Sequence, residues 1–67
     1  MEFNTRLKEI RKEKNLTQKQ IIEILNCSQN KYASWEQGRT EPDIKSIKEL
    51  CIIFNVTSDY LLGITDY

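Results

Sequence analysis

The stretch from Thr17 to Gly38 leaves this chain few ways to fold. It reads as two short helices with a three-residue turn between them. Thr17 can cap the first, and Gln20 three residues later can complete a capping box, with Leu16 and Ile21 at the two positions of a hydrophobic staple. Ser28 is a good N-cap for the second, with Cys27 and Tyr32 placed as another staple. Gly38 supplies the left-handed residue that ends it. Two capped helices this close together must cross steeply, as in a helix-turn-helix.

A chain of 67 residues allows one domain and a small core. A domain of that size buries only about 60% of the surface its unfolded chain exposes. Hydrophobic residues at 39% and charged residues at 30% fit a helical domain rather than a disordered tail. No apolar run approaches the roughly 20 residues needed to span a bilayer. No signal-peptide core is evident, so a cytoplasmic protein is expected. With no histidine and only Cys27 and Cys51, a zinc site has too few ligands, and both cysteines read as buried small hydrophobes. Formal net charge is zero, but residues 1–20 carry six basic and three acidic side chains while residues 41–67 carry two and five. That asymmetry gives a small protein one basic side.

Along the chain, a first helix is expected from Asn4 or Thr5 to Lys14, with Leu7, Ile10 and Lys14 at helical spacing, Phe3 just before it and charged residues on the other face. Asn15 can stop it. The second, Gln18 to Leu25, is expected to bury Ile21, Ile22 and Leu25, with Ile24 beside them, and to be largely enclosed. In the third, Gln29 to Gln37, Tyr32 and Trp35 mark an inner side. Gln29, Asn30, Ala33, Ser34 and Gln37 fall together on the other, all small or amide-bearing. After Pro42, Asp43 caps a fourth helix with Ile44, Ile47, Leu50, Cys51 and Phe54 as the inward stripe. Asn55 can end it. Thr57 caps a short fifth helix, stapled by Val56 and Leu61 and ended by Gly63. There is no strand pattern or repeat.

These residues resemble the phage-repressor/Cro-like (XRE-type) helix-turn-helix family over nearly the whole chain. The resemblance is carried by Arg6-Leu7-Lys8, by the run Arg11-Lys12-Glu13-Lys14-Asn15-Leu16-Thr17-Gln18, by Ser28, by Trp35-Glu36-Gln37-Gly38-Arg39-Thr40-Glu41-Pro42, and by Val56-Thr57-Ser58-Asp59-Tyr60-Leu61-Leu62-Gly63. It implies an all-α, compact five-helix, lambda-repressor-like DNA-binding domain over residues 1–67, with the helix-turn-helix at about 17–38. The function implied is a transcriptional regulator that binds double-stranded DNA sequence-specifically. A repressor acting as a homodimer on a palindromic operator is expected, in a bacterial or phage-type cytoplasm and associated with the nucleoid. Three positions depart from the family pattern. Ile22 stands where alanine is usual, Asn26 where the turn glycine is usual, and Cys27 where valine is usual. Asparagine tolerates the left-handed conformation; Ile22 is expected to shift how the third helix sits rather than abolish its role.

A helix that offers amides at its N-terminal turn suits a major groove, because an amide matches the donor and acceptor of adenine. Gln29 and Asn30 are therefore the first candidates for base contacts, with Ser34 and, against a thymine methyl, Ala33. Gln18 opens the second helix, where free N–H groups and the helix dipole favour a phosphate, and the resemblance assigns it a phosphate contact. Thr17, Lys31, Gln37, Arg39 and Thr40 are the other candidates for backbone contacts. Glu36, beside Trp35, needs a partner on the inner side. Arg11 lies at the edge of the first helix's apolar stripe, and the resemblance implies a salt bridge between the two. Tyr60, Leu62, Ile64 and Tyr67 either finish the core or form a dimer contact. No catalytic residue, cofactor, metal, membrane or small-molecule site is expected. The competing reading is a protein-interaction module such as the antitoxin of a toxin–antitoxin pair.

Overall fold

The computed structural model describes residues 1–67 as five helices: α1 Phe3–Glu13, α2 Gln18–Leu25, α3 Gln29–Gln37, α4 Ile44–Phe54 and α5 Ser58–Leu61. Where they start follows from side-chain oxygens. Thr17 and Gln20 form the reciprocal box, with Gln20 N donating to Thr17 Oγ1 at 3.1 Å and Thr17 N to Gln20 Oε1 at 2.8 Å. Ser28, Asp43 and Thr57 accept the N–H of the third residue beyond them in the same way. α1 differs. Glu2 makes no side-chain cap, and Phe3, expected just ahead of the helix, is its first residue.

The stops share one device. Asn15, Asn26 and Asn55 have φ of 55–56°, and Gly38 and Gly63 have φ of 78° and 81°. One left-handed residue follows each helix and reverses the chain. After α1 the two bonds of a Schellman motif form, Asn15 N to Lys12 O and Leu16 N to Arg11 O, at 3.0 and 3.1 Å. Gly63 has a second reason to be glycine: a Cβ there would lie 2.0 Å from the Met1 carbonyl oxygen.

Every helix contributes to one core of Leu7, Ile10, Ile21, Tyr32, Trp35, Leu50, Phe54 and Leu61. Tyr32 and Trp35 meet edge to face, with ring centroids 5.6 Å apart. The staple residues Leu16, Cys27 and Val56 pack on its margin. α2 is less enclosed than its composition suggests. Only Ile21 is fully buried; Ile22 and Leu25 are half-buried, and Ile24 is 60% exposed. With four apolar residues among the five from Ile21 to Leu25, the sequence could not say which of them faced inward. Ile22 thus lies at the core's edge, while Ile21 takes the inward place. Ile44 is likewise not part of the inward stripe of α4. It sits in the first turn, beyond the core, and is 73% exposed. Cys27 and Cys51 are half-buried free thiols rather than fully buried ones, and partial burial raises the pKa of Cys51.

The largest departure is Arg6. Expected on the charged face of α1, it is 2% exposed. Its Nη1 donates to the carbonyls of Tyr60 and Thr65, the latter at 3.1 Å, and the guanidinium lies 4.0 Å from the centre of the Tyr60 ring. Positions 3, 6, 7 and 10 form a single helical stripe, so the register did place Arg6 inward; only its charge suggested otherwise.

Candidate nucleic-acid interface

α3 has two distinct faces. Tyr32, Trp35 and Glu36 are buried, while Gln29, Asn30, Lys31 and Gln37 are exposed and Ala33 and Ser34 half-buried. Glu36 is the only carboxylate of the helix, and its burial leaves the solvent face with amides, one lysine and no negative charge. A desolvated carboxylate needs compensation, and Arg11 provides it with two bonds, Nε to Oε2 at 2.6 Å and Nη2 to Oε1 at 3.2 Å. Burial pushes the Glu36 pKa up, but the hydrogen bonds from Arg11, the nearby Tyr32 hydroxyl and the hydrogen bond from Gln18 outweigh it and hold the carboxyl below its ordinary range. The fork of Arg11 also reaches the Leu16 carbonyl at 3.1 Å, so it joins the end of α1, the entry to α2 and the body of α3. Tyr32 lies against this pair. Its buried hydroxyl makes no hydrogen bond of normal geometry, and burial, then the neighbouring Glu36, raises its pKa.

Gln18 opens α2 half-buried, its Nε2 donating to Glu36 Oε1 at 3.1 Å. Thr17 is exposed and occupied by its cap. Ser34 is less free than its position suggests. Its hydroxyl donates to the Lys31 carbonyl at 2.7 Å and meets Thr40 Oγ1 at 2.5 Å. A hydroxyl has one proton, so Ser34 retains only acceptor capacity and ties the loop after α3 to the helix. Arg39 and Thr40 are exposed in that loop, and Arg39 N donates to the Ser34 carbonyl at 3.0 Å. Gln29, Asn30, Ala33, Ser34 and Gln37 thus share α3, with Lys31 beside them and Thr40 held to Ser34. The N-terminal excess of positive charge is smaller at the surface than the sequence count, because Arg6 and Arg11 are spent inside. Lys8, Lys12, Lys14 and Lys19 remain exposed.

The four dimer candidates, Tyr60, Leu62, Ile64 and Tyr67, do not line a single groove. Tyr60 and Tyr67 line a groove with Asn55, Val56 and Thr57, whereas Leu62 lines another with Phe3, Glu41, Pro42 and Ile47. Tyr60 is half-buried under Arg6; Ile64 and Tyr67 are 69% and 94% exposed. Neither groove exceeds about 310 Å³, the low end for a small-molecule site. No group of three or more His, Cys, Asp or Glu side chains is placed to hold a metal. No helix is long and apolar enough to cross a membrane.

Sequence reasoning did not find Arg6 or the bond from Gln18 to Glu36. The stripe at 3, 6, 7 and 10 pointed to the first; nothing in the sequence pairs the second.

A model of the helix-turn-helix domain family matches residues 4–65. The chain is 44% identical over 63 residues to the HTH-type transcriptional activator BcrR of Enterococcus faecalis, covering 94% of this chain and 31% of that protein. It is 38% identical over 63 residues to the HTH-type transcriptional regulator ImmR of Bacillus subtilis (strain 168), covering 94% and 50%. The crystal structure of a transcriptional regulator from Listeria innocua superimposes with a TM-score of 0.85 at 34% identity, covering 92% of this chain and 58% of that one. The chain therefore spans from about a third to about half the length of these two curated relatives.

Proposed function

The chain belongs to the XRE-type helix-turn-helix family of transcriptional regulators, and on that premise we propose that it reads double-stranded DNA with α3 in the major groove. The observation that carries this is the composition of the solvent face of α3. It offers Gln29, Asn30 and Gln37 with no carboxylate, over a side fully occupied by the core. Gln29 and Asn30 read base edges, Ala33 meets a thymine methyl, and Ser34 contributes as an acceptor. Gln18, Thr17, Lys31, Gln37, Arg39 and Thr40 hold the backbone, fixing register without reading sequence. Two copies bind a palindromic operator with their α3 helices about 34 Å apart, as a repressor. Tyr60, Leu62, Ile64 and Tyr67 are the candidate dimer contacts, with the exposed Ile64 and Tyr67 as the free surface.

Selection of bound duplexes from a random pool, followed by sizing of the complex, tests this. A recovered palindrome bound two to one, with affinity falling steeply with salt, is expected. Equal affinity for selected and random duplexes would overturn it. The exposed Ile44 and Ile52, 73% and 79% accessible and outside the proposed dimer surface, favour one second reading. In that reading α4 docks a partner protein, as in an antitoxin, and the chain is captured in stoichiometric complex without DNA.

A further inference from the structure

Glu36 is 6% exposed, and its two oxygens receive three donors. Oε2 accepts from Arg11 Nε at 2.6 Å; Oε1 accepts from Arg11 Nη2 at 3.2 Å and from Gln18 Nε2 at 3.1 Å. One carboxylate therefore joins α1, α2 and α3 at the entrance to the helix-turn-helix. The two ends of a glutamine amide have nearly the same shape, and their surroundings decide which way it turns. An ionised carboxylate can only accept, so it selects the NH₂ end of Gln18 and repels the oxygen. One N–H is consumed, and one remains to donate. A donor with fixed direction loses little freedom on meeting a phosphate, whereas an amide free to flip spends part of its time presenting an oxygen.

We propose that Glu36 is a positioning residue for DNA binding, its carboxylate orienting Gln18 so that the second amide N–H is the group offered to a phosphate. This goes beyond its ion pair with Arg11 and rests on the reading of Gln18 as a phosphate contact. Arg11 acts at one remove, by keeping Glu36 charged and aimed between the helices. The coupling carries no sequence information, since it ends on the phosphate backbone.

The test measures binding of a selected duplex and of an unrelated duplex to the wild type, Gln18→Ala, Glu36→Gln and the double variant, below every melting temperature and corrected for the folded fraction. Each single substitution lowers affinity about tenfold on both duplexes, as expected for one hydrogen bond to a charged group. The double variant is no weaker than Gln18→Ala alone, because Glu36 acts through Gln18. A Glu36→Gln protein that melts earlier but binds with wild-type affinity overturns the proposal and leaves Glu36 a purely structural residue. A second measurement needs no variant. In the wild type, the side-chain amide of Gln18 should be as rigid by heteronuclear NOE as the α2 backbone, free and bound; a rapidly averaging amide overturns the proposal. Failure of the wild type to bind any duplex is a separate outcome, and it overturns the DNA reading together with the inference built on it.

Discussion

Arg6 and Arg11 lie on the same helix five residues apart, and both are largely withdrawn from solvent, yet they are held by opposite means. Arg11 meets a carboxylate, Glu36 of α3, and anchors the helix-turn-helix half. Arg6 meets the carbonyls of Tyr60 and Thr65, which belong to α5 and the tail, and anchors the C-terminal half. Its ionic contact is marginal: Asp66 is 3.7 Å away with a 97% exposed side chain, so the pair adds little. The carbonyls and the Tyr60 ring do the holding. Two ways of burying a cation therefore secure the two ends of α1, one by charge neutralisation and one by backbone dipoles. The first ties three helices at the proposed reading surface. The second closes the opposite end, where Met1 packs against Gly63.

Removing one member of each anchor separates them. Glu36→Ala leaves the Arg11 guanidinium unpaired and should cost about 3–5 kcal/mol. For a domain of this size that lowers the melting temperature by more than about 10 °C; an unchanged thermal transition by circular dichroism would break the comparison on the Arg11 side. Arg6→Ala removes the donor of two carbonyls and should cost about 2 kcal/mol. The loss should be local, with amide protection falling over residues 58–65 while α2 and α3 keep theirs. Uniform loss across the chain would mean that the two anchors are not independent.

The anchors should also part under acid. The Glu36 carboxyl has its pKa lowered in the fold. Its contribution is complete above the ordinary glutamate range, about 4.3, and is lost as pH falls through the lower folded value. Stability measured by denaturant titration should therefore decline in that window for the wild type and decline less for Glu36→Gln. Carbonyls do not titrate, so Arg6→Ala should keep the wild-type slope. The smallest effect is expected from Tyr32→Phe. The hydroxyl is buried beside the Arg11–Glu36 pair without a normal hydrogen bond, so its removal should change stability by less than about 1 kcal/mol. A larger loss would show that the hydroxyl belongs to the anchor.

These differences explain what could be read in advance. Capping signals and left-handed stops are local, and Thr17 with Gln20, Ser28, Asp43 and Thr57 set the starts of four helices as expected. α1, which lacks a side-chain cap, was the one helix whose start was misplaced. The pairing of Arg11 with Glu36 was legible through the family resemblance; the residues by themselves show only that a carboxylate beside Trp35 needs a partner. Arg6 was not, because its acceptors are main-chain carbonyls that every residue carries. Periodicity puts Ile44 on the inward stripe, and composition makes α2 look enclosed around Ile24, yet both are exposed, because neither signal says how far the core extends. At the candidate site, the amides of α3 were evident from the sequence, but the engagement of Ser34 with Lys31 and Thr40 was not.

The sequence by itself determined the five helices, their stops and the division of α3 into an apolar and an amide face, because caps, left-handed residues and helical period act over four or five neighbours. Only the tertiary structure decided what the internal charges held. A buried guanidinium is satisfied by whichever acceptors the packed helices bring within about 3 Å. Apart from the Leu16 carbonyl beside Arg11, those acceptors lie 25 residues away for Arg11 and 54 and 59 residues away for Arg6, beyond the reach of any local signal.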